Sequence, residues 1–312
     1  MREQTDDKGL IARLEQRAAA LSEIRAFFAE AGFLEVQTPI LLSTPGQETH
    51  IRPFQTEYDD GEAGPRTCYL VTSPEHHMKR LLGRGCQRIF QIGSCFRDGE
   101  LSSMHLPEFT MVEWYRTEAG YLEVADDLEN MIRRLSRKVF ERTRISTACG
   151  TVDIADQWQH LSVSEAFMAY VGIDLVDYPE TDPEDFRRAA REQCGVIIGK
   201  TDSWEDVFFK LMIERVEPAL GALPHAVFLQ DYPAGLAALA RLRPPDYRVA
   251  ERLELYIGGI ELANGFSELT DGREQRRRFM AQRAARRALR ASTLPLDEAF
   301  LRMLSDGRMP MA

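Results

Sequence analysis

Cysteine is scarce in this sequence: five residues (Cys68, Cys86, Cys95, Cys149, Cys194), an odd number without a C-x-x-C pair or zinc-type spacing. That pattern argues against a disulfide framework and a structural zinc site, and reduced thiols are the expected state. No apolar run approaches the ~20 residues of a membrane span, and the opening MREQTDDKGL lacks the apolar stretch of a signal peptide. A cytoplasmic protein with no membrane partner is expected. There is no basic excess either. Against 49 acidic residues stand 39 Lys and Arg, a net charge of −10, which argues against an autonomous nucleic-acid binder. Gly83-Arg84-Gly85 follows a helical stretch and is not a dinucleotide fingerprint, and P-loop spacing is missing. The six histidines show no ligand spacing, and no Ser-His-Asp or Cys-His arrangement can be argued.

What is present is ordinary for a soluble enzyme: 312 residues, 44% hydrophobic and 28% charged, enough to bury a full core. Leu10, Leu14, Ala18, Leu21, Ile24 and Phe28 recur at three- and four-residue steps and predict an amphipathic helix over 10–31. A short strand ending at Pro39 follows. A strand near 68–72 leads into Ser73-Pro74-Glu75, where Ser73 can cap a helix carrying Pro74 at its first position. Further strands are expected at 88–92, 109–115, 226–229 and 253–257, and helices at 121–142, 273–291 and 296–305. Residues 143–225 read as a mostly helical insertion. Strands in hairpin-like order with helices between them predict an α+β fold, an antiparallel sheet flanked by helices.

Two segments carry the chemistry. In Phe109-Thr110-Met111-Val112-Glu113-Trp114-Tyr115, strand alternation puts Phe109, Met111, Glu113 and Tyr115 on one face, half apolar and half acidic. Such a face can hold a flat heterocycle next to a cation. Arg97, just upstream, can neutralise charge developing on a phosphate, or it can form a salt bridge with Asp98 or Glu100. In GGIELANGFSELTD (Gly258 to Asp271), Glu261 and Glu268 flank a turn-like Asn264-Gly265. A bent strand there could aim both carboxylates at one Mg²⁺, the apolar neighbours making exposure of both unexpected. The bland alternative is two surface acids. Eight arginines between Arg273 and Arg290 form either a solvated face balanced by neighbours or a dock for an acidic partner.

FRDGELSSMHLPEFTMVEWYR (Phe96 to Arg116), read with GGIELANGFSELTD, resembles the second signature of class II aminoacyl-tRNA synthetases of the lysine branch. The helix and strand of residues 10–39 resemble the first signature, which forms a homodimer interface in that family. The resemblance implies ATP and Mg²⁺. Arg97 would contact ATP and the amino-acid carboxylate, with Asp98, Gly99 and Leu106 beside the nucleotide and Phe109 stacked on adenine. Glu261 and Leu262 would complete the ATP site, and Glu261 with Glu268 the metal site. Ser73, Pro74, Glu75, Glu113, Tyr115 and Glu268 would bind the amino acid, with Glu113 and Tyr115 on its distal ammonium and Glu75 on the proximal one. Three positions depart from the lysyl pattern: Leu106 stands for Asn, Met104 for Arg and Gly99 for Glu.

About sixteen residues precede the first signature, too few for the anticodon-binding domain of a lysyl-tRNA synthetase. The sequence therefore resembles the stand-alone paralogues that ligate (R)-β-lysine, or lysine, to a lysine side chain of elongation factor P. A single catalytic domain over 1–312 is expected, with tRNA not expected as a partner. The third signature of the family, a strand and an Arg-bearing helix, has no counterpart before Ala312. The expectation is that the natural chain continues or that this form is impaired. A tRNA-charging fragment and a non-catalytic binding protein of synthetase shape stay open beside the ligase.

Overall fold

The computed structural model describes residues 7–59, 61–62 and 64–312. In chain order these form α1 (Asp7–Glu30), β1 (Leu34–Glu35), β2 (Leu41–Leu42), β3 (Gln55–Tyr58), β4 (Arg66–Leu70), α2 (Glu75–Leu82), β5 (Arg88–Phe96) and β6 (Glu108–Arg116). Then come α3 (Tyr121–Lys138), β7 (Arg144–Thr147), β8 (Gly150–Asp153), β9 (Gln159–Ser162), α4 (Val163–Tyr170), α5 (Pro183–Cys194), α6 (Trp204–Leu211) and α7 (Glu217–Gly221). The chain finishes with β10 (Val227–Pro233), β11 (Val249–Ile257), β12 (Ile260–Phe266), α8 (Gly272–Ala288) and α9 (Glu298–Ser305). The α+β expectation holds. The chain divides into two compact units: Arg25–Ala119 with Glu268–Ala312, and residues up to Ile24 with Gly120–Ser267.

In the first unit β5 and β6 pair antiparallel from Arg88↔Arg116 to Phe96↔Glu108. Both strands run longer than the apolar pattern indicated. β1 joins β5 in parallel through Leu34↔Ile89, so the predicted strand ending at Pro39 shrinks to two residues. It stops early because Thr38 gives its N–H to the Gln91 side chain at 2.9 Å instead of to a neighbouring strand. Phe28, fully buried, stacks on Phe90 at 4.7 Å and meets Phe33 edge-on at 5.2 Å, fixing the end of α1 on this sheet. α2 packs beside α9, whose Met303 lies so close to Gly83 that a Cβ there would fall 2.3 Å from its sulfur. A side chain at the end of α2 would therefore displace Met303.

The second unit is built on a sheet in the order β12-β11-β10-β9, with β9 parallel to β10 and the other pairs antiparallel. Its core joins Val163 and Phe167 of α4, Phe186 of α5, and Trp204 and Phe208 of α6 to Val227 and Leu229 of β10. Residues 143–225 are thus more than helical: they supply the β7–β8 hairpin and one strand of the sheet. The apolar stripe of α1 is covered only in part, since Leu10, Ile11 and Leu14 are exposed. Among the described residues no helix is long and apolar enough to cross a membrane.

Candidate active site

The first unit gathers the expected amino-acid residues from α2 and β6. The N–H of Phe96 donates to the Val71 carbonyl at 2.8 Å, which sets the 71–75 segment beside the end of β5. α2 starts one residue later than expected, with Pro74 at its N-cap. Ser73 nevertheless accepts the Glu75 N–H at 3.2 Å, and its hydroxyl donates to Glu113 at 2.8 Å. The alternation of β6 brings Tyr115 next to Glu113, and the phenol donates to the other carboxylate oxygen at 2.8 Å. Glu113 is therefore held by two neutral donors. Burial, reinforced by Glu75, pushes its pKa up to about 7.

Sequence reasoning missed Lys79. It lies one helical turn after Glu75, is 1% exposed, and its ammonium contacts both Glu75 and, at 2.5 Å, Glu268. Burial opposes its charge, but Glu268 and Glu75 outweigh that and hold its pKa above the ordinary value. Glu268 is pushed up to about 8, because burial and the carboxylates of Glu75 and Glu113 together exceed the pull of Lys79. Glu48 was missed too. With Ser73, Glu75 and His76 it lines a small cavity, and its pKa is raised by burial and by Glu75. The cluster holds more carboxylates than cations, as a site for a cationic ligand would.

Arg97 follows β5. Its guanidinium lies 5.1 Å over the Phe109 ring and its Nε faces the Thr72 carbonyl at 3.5 Å. Asp98 is not its salt-bridge partner: that carboxylate pairs with Arg52 at 2.6 Å, leaving Glu100 at 3.8 Å. Gly99 has φ +85°, and a Cβ there would fall 2.8 Å from the Arg52 guanidinium, so no larger residue fits while Arg52 holds Asp98. Met104 and Leu106 are exposed on the loop between β5 and β6. Phe109 and Met111 pack on Leu42, Val71 and Cys95.

The turn beside Glu261 needs correction. Asn264-Gly265 is not a turn but lies inside β12, opposite Glu254 and Leu253; the turn is Gly258-Gly259, at φ +59° and +80°. Glu261 is exposed despite its apolar neighbours, as is Leu262. Glu268 belongs to the other unit and is engaged by Lys79. Another acid of this sheet, Glu254, lies on the adjacent strand opposite Asn264. It accepts from the Tyr232 and Tyr256 hydroxyls, the latter at 2.9 Å, and from Arg252 at 2.8 Å. The charges of Glu254 and Glu261 both act on Tyr256 and Arg252. Its signal in the sequence was a lone acid inside the apolar run Leu253-Glu254-Leu255.

Part of the arginine run is a balanced face. Arg276 pairs with Glu298 at 2.6 Å, Arg277 and Arg278 pair with Glu274, and Arg286 is buried.

The family model of class II tRNA synthetases (D, K and N) matches residues 4–312. Proteins named elongation factor P–(R)-β-lysine ligase are 37% identical in Proteus mirabilis (strain HI4320) and 38% in Sodalis glossinidius (strain morsitans) and Erwinia tasmaniensis. Each match covers 95% of this chain and 86% of the relative. The chain belongs to the class II synthetase family, in the branch of these ligases. Within that family the cluster around Glu113 and the Arg97–Phe109 pair take on a chemical meaning.

Proposed function

We propose that this protein activates (R)-β-lysine, or lysine, with ATP as an aminoacyl-adenylate and transfers it to a lysine side chain of elongation factor P. The observation that carries this reading is the part-buried carboxylate Glu113, held by Ser73 and Tyr115 and, among the described residues, without an ion-pair partner. A distal ammonium would fill that place. The attacking carboxylate of the amino acid is already ionised at neutral pH, so no general base is needed. Arg97 would neutralise the α-phosphate and orient the substrate carboxylate. Phe109 would carry the adenine, with Asp98, Gly99 and Leu106 beside the nucleotide. Ser73, Pro74, Glu75, Glu113, Tyr115 and Glu268 would surround the amino acid.

Mg²⁺ would offset the charge of the ATP phosphates. Glu261, exposed on β12, would be one of its carboxylates. The exposed Leu10, Ile11 and Leu14 of α1 favour a homodimer. We place the protein in the cytoplasm, with both units parts of one catalytic domain.

Amino-acid-dependent ATP–pyrophosphate exchange, followed by intact-mass analysis of elongation factor P, tests the proposal. Exchange with (R)-β-lysine and gain of one lysyl unit on the factor are expected. Aminoacylation of tRNA without modification of the factor would refute the assignment of the acceptor, and no exchange would refute the activity.

A further inference from the structure

Arg52 is anchored on two sides. Ahead of it, the buried Arg286 of α8 donates from one nitrogen to the carbonyls of Glu48 at 2.8 Å, Thr49 at 3.2 Å and Ile51 at 2.9 Å. Across from it, the Asp98 N–H donates to the Arg52 carbonyl at 2.7 Å, and the Asp98 carboxylate meets the Arg52 Nε at 2.6 Å. Backbone and side chain thus tie residue 52 to the residue that follows Arg97. The ion pair is made at one edge of the guanidinium. Its Nη2 end stands over Gly99, where a Cβ would fall 2.8 Å away, and the side chain stays 62% exposed. An ion pair this open to water adds little to stability. What it does provide is a planar fork of donors held in a set orientation beside the nucleotide segment.

The charges of that segment leave a place for such a fork. Arg97 is assigned to the α-phosphate, yet most of the charge of ATP lies on the two phosphates beyond it. The loop after Arg97 brings no cation toward them, since there is no Lys or Arg from Asp98 to Tyr115. Lys79 is committed to Glu75 and Glu268, and Arg286 is buried on backbone carbonyls. Arg52 is an exposed cation already clasped to this loop. We propose that Arg52 binds the terminal phosphates of ATP through its Nη2 edge, with Asp98 as the residue that orients it and Gly99 leaving the approach open. A guanidinium suits the task because its paired donors match phosphate oxygens in a way a single ammonium does not. The proposal rests on the amino-acid-activating function above and adds a residue to it that was not among the expected nucleotide contacts.

The test is calorimetric titration of the wild-type protein, Arg52→Gln and Arg97→Ala with ATP and with AMP, Mg²⁺ being present throughout. AMP keeps the α-phosphate and lacks the terminal two. Because Arg52 is exposed, its substitution leaves the core untouched. Losing a charged hydrogen bond corresponds to about 10- to 100-fold in affinity. Arg52→Gln should weaken ATP by that factor and leave AMP unchanged, whereas Arg97→Ala should weaken both. In ATP–pyrophosphate exchange, Arg52→Gln should raise KM for ATP and keep KM for the amino acid. Equal weakening of ATP and AMP by Arg52→Gln would show that the clasp with Asp98 only shapes the loop that holds Arg97. Unchanged ATP affinity would show that the guanidinium serves solvent alone. Either result overturns the proposal while the function stands. Failure of the wild-type protein to bind ATP overturns both.

Discussion

The raised pKa values of the carboxylates in the first unit predict that stability falls as pH rises through neutrality, and substrate should lessen that fall. Glu268 has its pKa pushed up to about 8 and Glu113 to about 7, against 4.5 for each when unperturbed. A carboxyl with a raised folded pKa contributes stability that is complete below the unfolded value and is lost as pH climbs through the folded one. The opposite slope comes from His76, whose pKa burial lowers from 6.5 to about 3, and from His77, also lowered. Their contributions vanish as pH falls below 6.5 and are constant above it. The carboxylates therefore act alone between about pH 6.5 and 8. At about 1.4 kcal/mol per pH unit, Glu268 alone costs about 2 kcal/mol across that window. On the scale for large domains this corresponds to roughly 4–8 °C in Tm. Thermal unfolding of the ligand-free protein at a series of pH values should show it. Saturating (R)-β-lysine should flatten the decline, because ammonium groups take the place of protons, and binding should release protons in calorimetry. Glu268→Gln should remove most of the slope. A Tm that stays level from pH 6.5 to 8 without ligand, or a Glu268→Gln variant that keeps the full slope, would refute the reasoning.

Other expectations follow from single residues. Arg97→Ala should lower ATP–pyrophosphate exchange by about 10²- to 10³-fold with the fold intact by circular dichroism, and near-normal exchange would remove Arg97 from the mechanism. Glu261→Gln should raise the Mg²⁺ concentration needed for half-maximal exchange without changing KM for the amino acid; the opposite split would assign the metal elsewhere. Leu14→Asp should shift a dimer to monomer in sedimentation velocity, and an unchanged sedimentation coefficient would show that the exposed part of α1 serves another purpose. Charge reversal at Arg287 and Arg290, exposed at the end of α8, should slow transfer to elongation factor P and spare exchange. Equal loss of both activities would assign those arginines to the fold.

Local patterns were readable where one segment decides the geometry. Alternation alone set Glu113 beside Tyr115, because a strand admits no other neighbour relation on one face. The hairpin near Glu261 was misread for an instructive reason. Asn264-Gly265 is a strong turn signal, yet Gly258-Gly259 takes the turn and Asn264 pairs with Glu254 in mid-strand. Both dipeptides suit a turn, and the strand partners decide between them. The Glu75–Lys79 pair has ordinary one-turn spacing and was legible in principle. Its third member, Glu268, is distant in sequence, so nothing local marked Lys79 as a buried cation. The tie from Arg286 to Glu48 is still less visible, since it uses backbone carbonyls and leaves no trace in residue type at the receiving end.

Lys79 explains why such a cluster can exist before substrate arrives. Three carboxylates in mutual reach and partly or wholly buried would take up protons and cease to bind cations. One internal ammonium shared by Glu75 and Glu268 keeps that pair oriented, while Glu113 keeps only hydroxyl donors. In the proposed function a substrate ammonium would meet that carboxylate, so electrostatics would favour a diamino acid over a monoamino one. The cost is borne by the ligand-free state, whose stability the same carboxylates depress. Selectivity for a doubly charged substrate and instability above neutral pH would thus be two consequences of one arrangement, and a variant that removes Glu113 should relieve the second only by giving up part of the first.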